Sequence, residues 1–130
     1  MNKKYLIVVA DYYKNIAKGL LKSANDLLPK STSIKIINVP GVFEIPVTIS
    51  KNIKKYDGFL ALGCVIKGET PHFNFISQVS TDAIMKLSID YKKPIGNGII
   101  TCLNMQQAEA RKKKGGEAAQ AVMSVLSQKK

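Results

Sequence analysis

Residues 59–66 read Phe-Leu-Ala-Leu-Gly-Cys-Val-Ile, eight positions in a row with no charged side chain. A strand with one wet face alternates apolar and polar residues. A run that is apolar throughout needs cover on both faces, as in the middle of a parallel sheet packed between helices. Working outward, residues 5–10 (YLIVVA) and 95–102 (IGNGIITC) repeat that character, and residues 33–39 (SIKIINV) form a more mixed fourth strand. Between them the apolar period changes to three or four. Ile16, Leu20, Ala24 and Leu28, flanked by Leu21 and Leu27, mark a helix that Pro29 ends. Ile45, Ile49 and Ile53 share one face of a shorter helix, with Pro46 in its first turn. Ile76, Val79, Ala83 and Leu87 predict a third helix that stops before Pro94. The last helical region starts at Asn104, a good N-cap, and resumes through Ala118, Ala121, Val122 and Val125 after an expected break at Gly115-Gly116.

The order β-α-β-α-β-α-β-α implies right-handed crossovers. The expected fold is a three-layer αβα sandwich of the α/β class with a four-stranded parallel sheet, flavodoxin-like in order. At 130 residues, with 45% hydrophobic and 22% charged, the chain is read as one globular domain spanning residues 1–130. Met1-Asn2-Lys3-Lys4 runs directly into a strand-like stretch, and no apolar run approaches the roughly 18 residues of a membrane span. A cytoplasmic location without a membrane partner is expected. Cys64 and Cys102 lie in apolar stretches without metal-site spacing, so both are read as reduced core residues, with no metal site.

Lys and Arg number 20 against 9 Asp and Glu, a net charge of +11. Such a charge attracts anions in general. Arg111 is the only arginine, Trp is absent, and the lysines are scattered along the chain, so no nucleic-acid partner is expected. RNA binding motivated by charge alone, and a flavodoxin-like module holding a flavin or nucleotide without chemistry, are the competing readings.

Ligands of open parallel sheets bind beyond the carboxyl ends of the strands. There the sequence has Asp11-Tyr12-Tyr13, then residues 40–44 (PGVFE), then residues 67–73 (KGETPHF). The last segment joins a strand to a helix, where backbone N–H groups and the Thr70 hydroxyl suit a phosphate. It is neither a Walker loop nor a GxGxxG turn. His72 exchanges protons near neutrality. Arg111 offers the planar fork that grips phosphate. A lone histidine is more often structural, and Arg111 opens the solvated run Arg111-Lys112-Lys113-Lys114, so neither residue carries a function alone.

Residues 39–46 (VPGVFEIP) and 61–73 (ALGCVIKGETPHF) resemble the VPGxFEIP and LGxVI(R/K)GxTxHF signatures of the 6,7-dimethyl-8-ribityllumazine synthases of riboflavin biosynthesis. Arg111 followed by residues 113–119 (KKGGEAA) is similar to that family's late block, and the likeness in element order covers about residues 5–126. The resemblance implies a transferase. It condenses 5-amino-6-ribitylamino-uracil with 3,4-dihydroxy-2-butanone 4-phosphate, releases phosphate and water, and uses no metal or organic cofactor. It further implies that Tyr12 stacks on the pyrimidine, that Val42, Phe43 and Glu44 frame the ring and ribityl chain, and that Cys64, Val65 and Ile66 line the ring's edge. Glu69 through its N–H, Thr70 and Arg111 would hold the phosphate, His72 would move protons, and Lys114 would lie near the ribityl chain. Asn97 stands where many relatives carry an aromatic, which makes one wall of the pocket polar. The family's pentamers, with sites at subunit boundaries, imply a homopentamer here, and riboflavin synthase is the candidate protein partner.

Overall fold

The computed structural model describes residues 3–30, 32–68 and 72–128, apart from the side chains of His72 and Phe73. Its strands are β1 (Lys4–Ala10), β2 (Ser33–Val39), β3 (Gly58–Ile66) and β4 (Ile95–Cys102). Its helices are α1 (Lys14–Leu27), α2 (Ile45–Asn52), α3 (His72–Tyr91), α4 (Met105–Ala110) and α5 (Lys114–Leu126), with a 3-10 turn at Val42–Glu44. All four strands are parallel, in the order β2-β1-β3-β4. The flavodoxin-like sandwich expected from the sequence is therefore present.

Alternation along β1 and β3 divides the core into two layers. Tyr5, Ile7, Val9, Leu60, Leu62 and Cys64 point to one face, where α1 and α5 supply Ile16, Leu20, Ala118 and Val122. Leu6, Val8, Phe59 and Ala61 point to the other, against Ile45 and Ile49 of α2 and Ile76 and Ile84 of α3. Each Val, Leu, Ile or Phe among these, when fully buried, contributes about 1.5–3 kcal/mol. β2 is an edge strand with Lys35, Ile36 and Asn38 exposed, which accounts for its mixed composition.

Three expectations need correction. The expected break at Gly115-Gly116 falls earlier, at residues 111–113, and both glycines lie inside α5. They serve close packing: a Cβ on Gly115 would collide with the Leu20 carbonyl of α1, and Gly116 N–H donates to Ser23 Oγ at 2.9 Å. The core face of α3 runs through Ile76, Ser80 and Ile84, whereas Val79 turns outward. In α5, Ala119 is buried while Ala121 and Val125 are exposed. The rest of each predicted stripe holds, with Ile76 of α3 and Ala118 and Val122 of α5 buried.

The start of α4 follows ordinary capping chemistry. Asn104 Oδ1 accepts from Gln107 N–H at 2.9 Å, and Gln107 Oε1 accepts from Leu103 N–H at 2.7 Å. Among the described residues no helix is long and apolar enough to cross a membrane.

Candidate active site

The carboxyl ends of β1 and β3 open into a depression of about 610 Å³. Tyr12 and Tyr13 enter it from the bend after β1, and Val42, Phe43 and Glu44 come from the 3-10 turn after β2. Cys64, Val65 and Ile66 form the end of β3, and Phe75 and Ile76 lean in from the start of α3. The 3-10 turn is fixed by Glu44 N–H donating to the Gly41 carbonyl at 3.2 Å and by Thr48 Oγ1 donating to the Glu44 carbonyl at 2.8 Å. Tyr12 is 75% exposed, and its ring meets that of Tyr13 edge to face, with centroids 4.9 Å apart and planes at 85°. The wall is largely apolar. Burial first, then Cys102 alongside, pushes the Cys64 thiol up to about 12, so this part of the wall is uncharged at neutral pH. Burial, followed by Cys64 and Tyr12, also raises the Tyr13 phenol.

A second depression, of about 720 Å³, lies along edge strand β4. Asn97 and residues 99–101 of β4 form its floor, Thr81 of α3 stands on one side, and Arg111, Lys113, Lys114 and Glu117 stand on the other. Asn97 Oδ1 accepts from Ile99 N–H at 3.0 Å, which leaves its amide N–H₂ as the group offered outward. Arg111 Nη1 donates to the Thr101 carbonyl at 3.1 Å, so the guanidinium hangs over the end of β4. Lys114 Nζ lies 3.5 Å from Glu117 Oε1.

The residues singled out from the sequence therefore fall into two groups. Tyr12, Val42, Phe43, Glu44, Cys64, Val65 and Ile66 share the first depression, Asn97, Arg111 and Lys114 share the second, and among the described residues none lines both. Glu69 and Thr70 lie outside the described residues, as does the His72 side chain; the His72 backbone begins α3. Sequence reading missed Tyr13 and Phe75. Tyr13 was legible as a second aromatic at a strand end, and Phe75 required knowing that α3 begins as early as His72. Among the described residues no group of three or more His, Cys, Asp or Glu side chains is placed to hold a metal ion.

A parallel α/β sandwich of this strand order, with an opening beyond the ends of β1 and β3, defines a flavodoxin-like fold, a class whose ligands bind beyond the carboxyl ends of the strands. The family model described as 6,7-dimethyl-8-ribityllumazine synthase matches residues 2–130. A protein of that name from Bartonella tribocorum is 44% identical, with 100% of this chain and 93% of the relative covered. The Agrobacterium fabrum protein of that name is 41% identical over 100% and 97%, and that of Bartonella henselae 46% over 96% and 87%. The chain belongs to the 6,7-dimethyl-8-ribityllumazine synthase family.

Proposed function

We propose that residues 1–130 act as one lumazine synthase domain, a transferase that condenses 5-amino-6-ribitylamino-uracil with 3,4-dihydroxy-2-butanone 4-phosphate. The products are 6,7-dimethyl-8-ribityllumazine, phosphate and water, formed at a site closed between neighbouring copies of a homopentamer. Membership of the family supports the reaction. The observation that carries the shared site is the division between the two depressions: one copy holds aromatic and apolar walls at β1 and β3, and its guanidinium lies at β4 in a separate opening. Two different surfaces that complete each other make a heterologous contact, which forms a ring when its rotation closes. The outer face of α3 supports association as well, because Phe75, Val79, Met85 and Ile89 are all exposed.

In this reading Tyr12 stacks on the pyrimidine while Val42, Phe43 and Glu44 frame the ring and ribityl chain. Cys64, Val65 and Ile66 contribute an uncharged edge. The neighbouring copy brings Arg111 to the phosphate, Lys114 to the ribityl chain and the Asn97 amide to the polar wall. Glu69 N–H and Thr70 complete the phosphate cradle. The amine nitrogen of the pyrimidine attacks the ketone carbon, a C–N bond forms, and the carbonyl oxygen leaves as water. His72 takes the proton from nitrogen and returns one to the departing oxygen. The phosphate C–O bond then breaks by elimination: the C–H beside it gives up its proton, the electron pair leaves with the phosphate, and the guanidinium and N–H donors meet the charge that develops on it. The enol so formed becomes a ketone, the ribitylamino nitrogen attacks it, and a second C–N bond closes the ring as a second water leaves. Holding both substrates in contact supplies up to about 7–11 kcal/mol of the barrier reduction. Cytoplasmic residence and transfer of the product to riboflavin synthase belong to the same proposal.

Mixing the purified chain with both substrates tests the reaction through lumazine absorbance and fluorescence. Light scattering on the same sample tests the assembly. Product formation by particles five times the chain mass is expected. A folded chain that makes no product overturns the reaction, and an active monomer overturns the shared site.

A further inference from the structure

We infer that Tyr13 is a positioning residue that fixes the ring of Tyr12 for stacking; this rests on the proposed role of Tyr12 above. Tyr12 follows the end of β1 and is 75% exposed, so few contacts restrain its two side-chain torsions. Tyr13 is different. It is the N-cap residue of α1, its carbonyl accepts from Ala17 N–H at 2.9 Å, and its ring is half-buried against the α1–α5 layer of the core. The two rings meet at 4.9 Å and 85°, within the favoured edge-to-face geometry of aromatic pairs. Tyr13 thus links an exposed ring to the packed core. Both rings line the same depression, so the angle at which Tyr12 meets a flat ligand is set from behind by Tyr13.

A ligand that needs one ring orientation binds more weakly by the fraction of time that orientation is populated. An edge-to-face pair of this kind changes that population by roughly 2- to 12-fold. Tyr13→Leu is therefore expected to raise KM for the ribitylaminouracil about fivefold, with KM for the butanone phosphate within about twofold of the parent. Tyr13→Phe keeps the ring and restores the pyrimidine constant. In a Tyr12→Leu background, Tyr13→Leu adds no further loss, because the ring it orients is gone.

Steady-state kinetics of the four variants, with both substrates varied and thermal midpoints recorded, give the answer. If Tyr13→Leu costs as much with Tyr12→Leu as without it, the loss is general to the fold and the inference fails. A Tyr13→Phe variant as impaired as Tyr13→Leu also overturns it, because the hydroxyl would then be the active part. If Tyr12→Leu itself leaves the pyrimidine constant unchanged, the stacking role falls and takes this inference with it. If only Tyr13→Leu is silent, Tyr12 keeps its role and Tyr13 loses the one inferred.

Discussion

Two variants that are each inactive should regain activity when their copies are mixed. Arg111→Ala removes an exposed guanidinium whose hydrogen bond goes to the Thr101 carbonyl at 3.1 Å, so the fold loses little. Loss of a charged donor from a developing anion costs about 10²–10³ in rate. Tyr12→Ala with Phe43→Ala strips two exposed rings from the other depression, and lost stacking costs about 1–3 kcal/mol for each ring, so the pair falls by at least about 30-fold. The first variant retains about 1% activity or less and the second about 3% or less. If every site takes its rings from one copy and its guanidinium from the next, a random equimolar ring has about one quarter of its sites intact. The mixture therefore recovers about 25% of the parent rate, against about 2% if each copy held a whole site. Co-expression of the two variants under different affinity tags, sequential purification and a lumazine fluorescence assay measure this directly. A doubly tagged assembly that never exceeds the average of its parents would refute the shared site.

Arg111→Lys keeps the charge but loses the planar fork, and should raise KM for the phosphate substrate about tenfold while leaving KM for the pyrimidine nearly unchanged; equal effects on both would remove Arg111 from the phosphate. Cys64, with its thiol pushed up to about 12, should resist iodoacetamide at pH 8 in the native protein and react once unfolded. Its linkage has a definite sign. The unfolded thiol ionises from about pH 9 while the folded one stays protonated, so this contribution is complete below pH 9 and is lost as pH rises toward 12, which urea midpoints across that window test. Gly115→Ala should cost about 3 kcal/mol by forcing α5 off the Leu20 carbonyl, and a loss below about 1 kcal/mol would contradict the packing described. Ser80 is buried and its Oγ has no hydrogen-bond partner, so Ser80→Ala should raise stability by about 1 kcal/mol; a fall of that size in the urea midpoint analysis would mean the hydroxyl is satisfied.

The sheet was legible because β1 and β3 are covered on both faces, and continuous apolar runs have few other uses. Helix faces were less so. On α3 the buried position beside Ile76 and Ile84 is Ser80, so a stripe drawn through apolar residues alone passed to Val79. Gly115 and Gly116 have the composition of a helix stop, but their missing side chains serve the contact with α1, and tertiary packing overrode local propensity. The candidate site residues were named by motif and by the strand-end rule. Their partition into two openings was not legible, since it depends on how the side chains beyond β1 and β3 stand relative to those along β4, which no local pattern encodes.

A last consequence follows from the glycines of β4. A Cβ at Gly96 would strike the Ala118 carbonyl, and one at Gly98 would press on Leu62 and Ala118, so the seating depth of α5 on the sheet is set by the smallest side chain available. Arg111 is tethered on both sides of that seat, through the turn into α5 and through Thr101 of β4. Thickness of the sandwich and reach of the guanidinium are thus one mechanical variable. If Arg111 grips the phosphate as proposed, a lineage that enlarged this seam would weaken that grip, and ligand affinity would register the change as well as the melting curve.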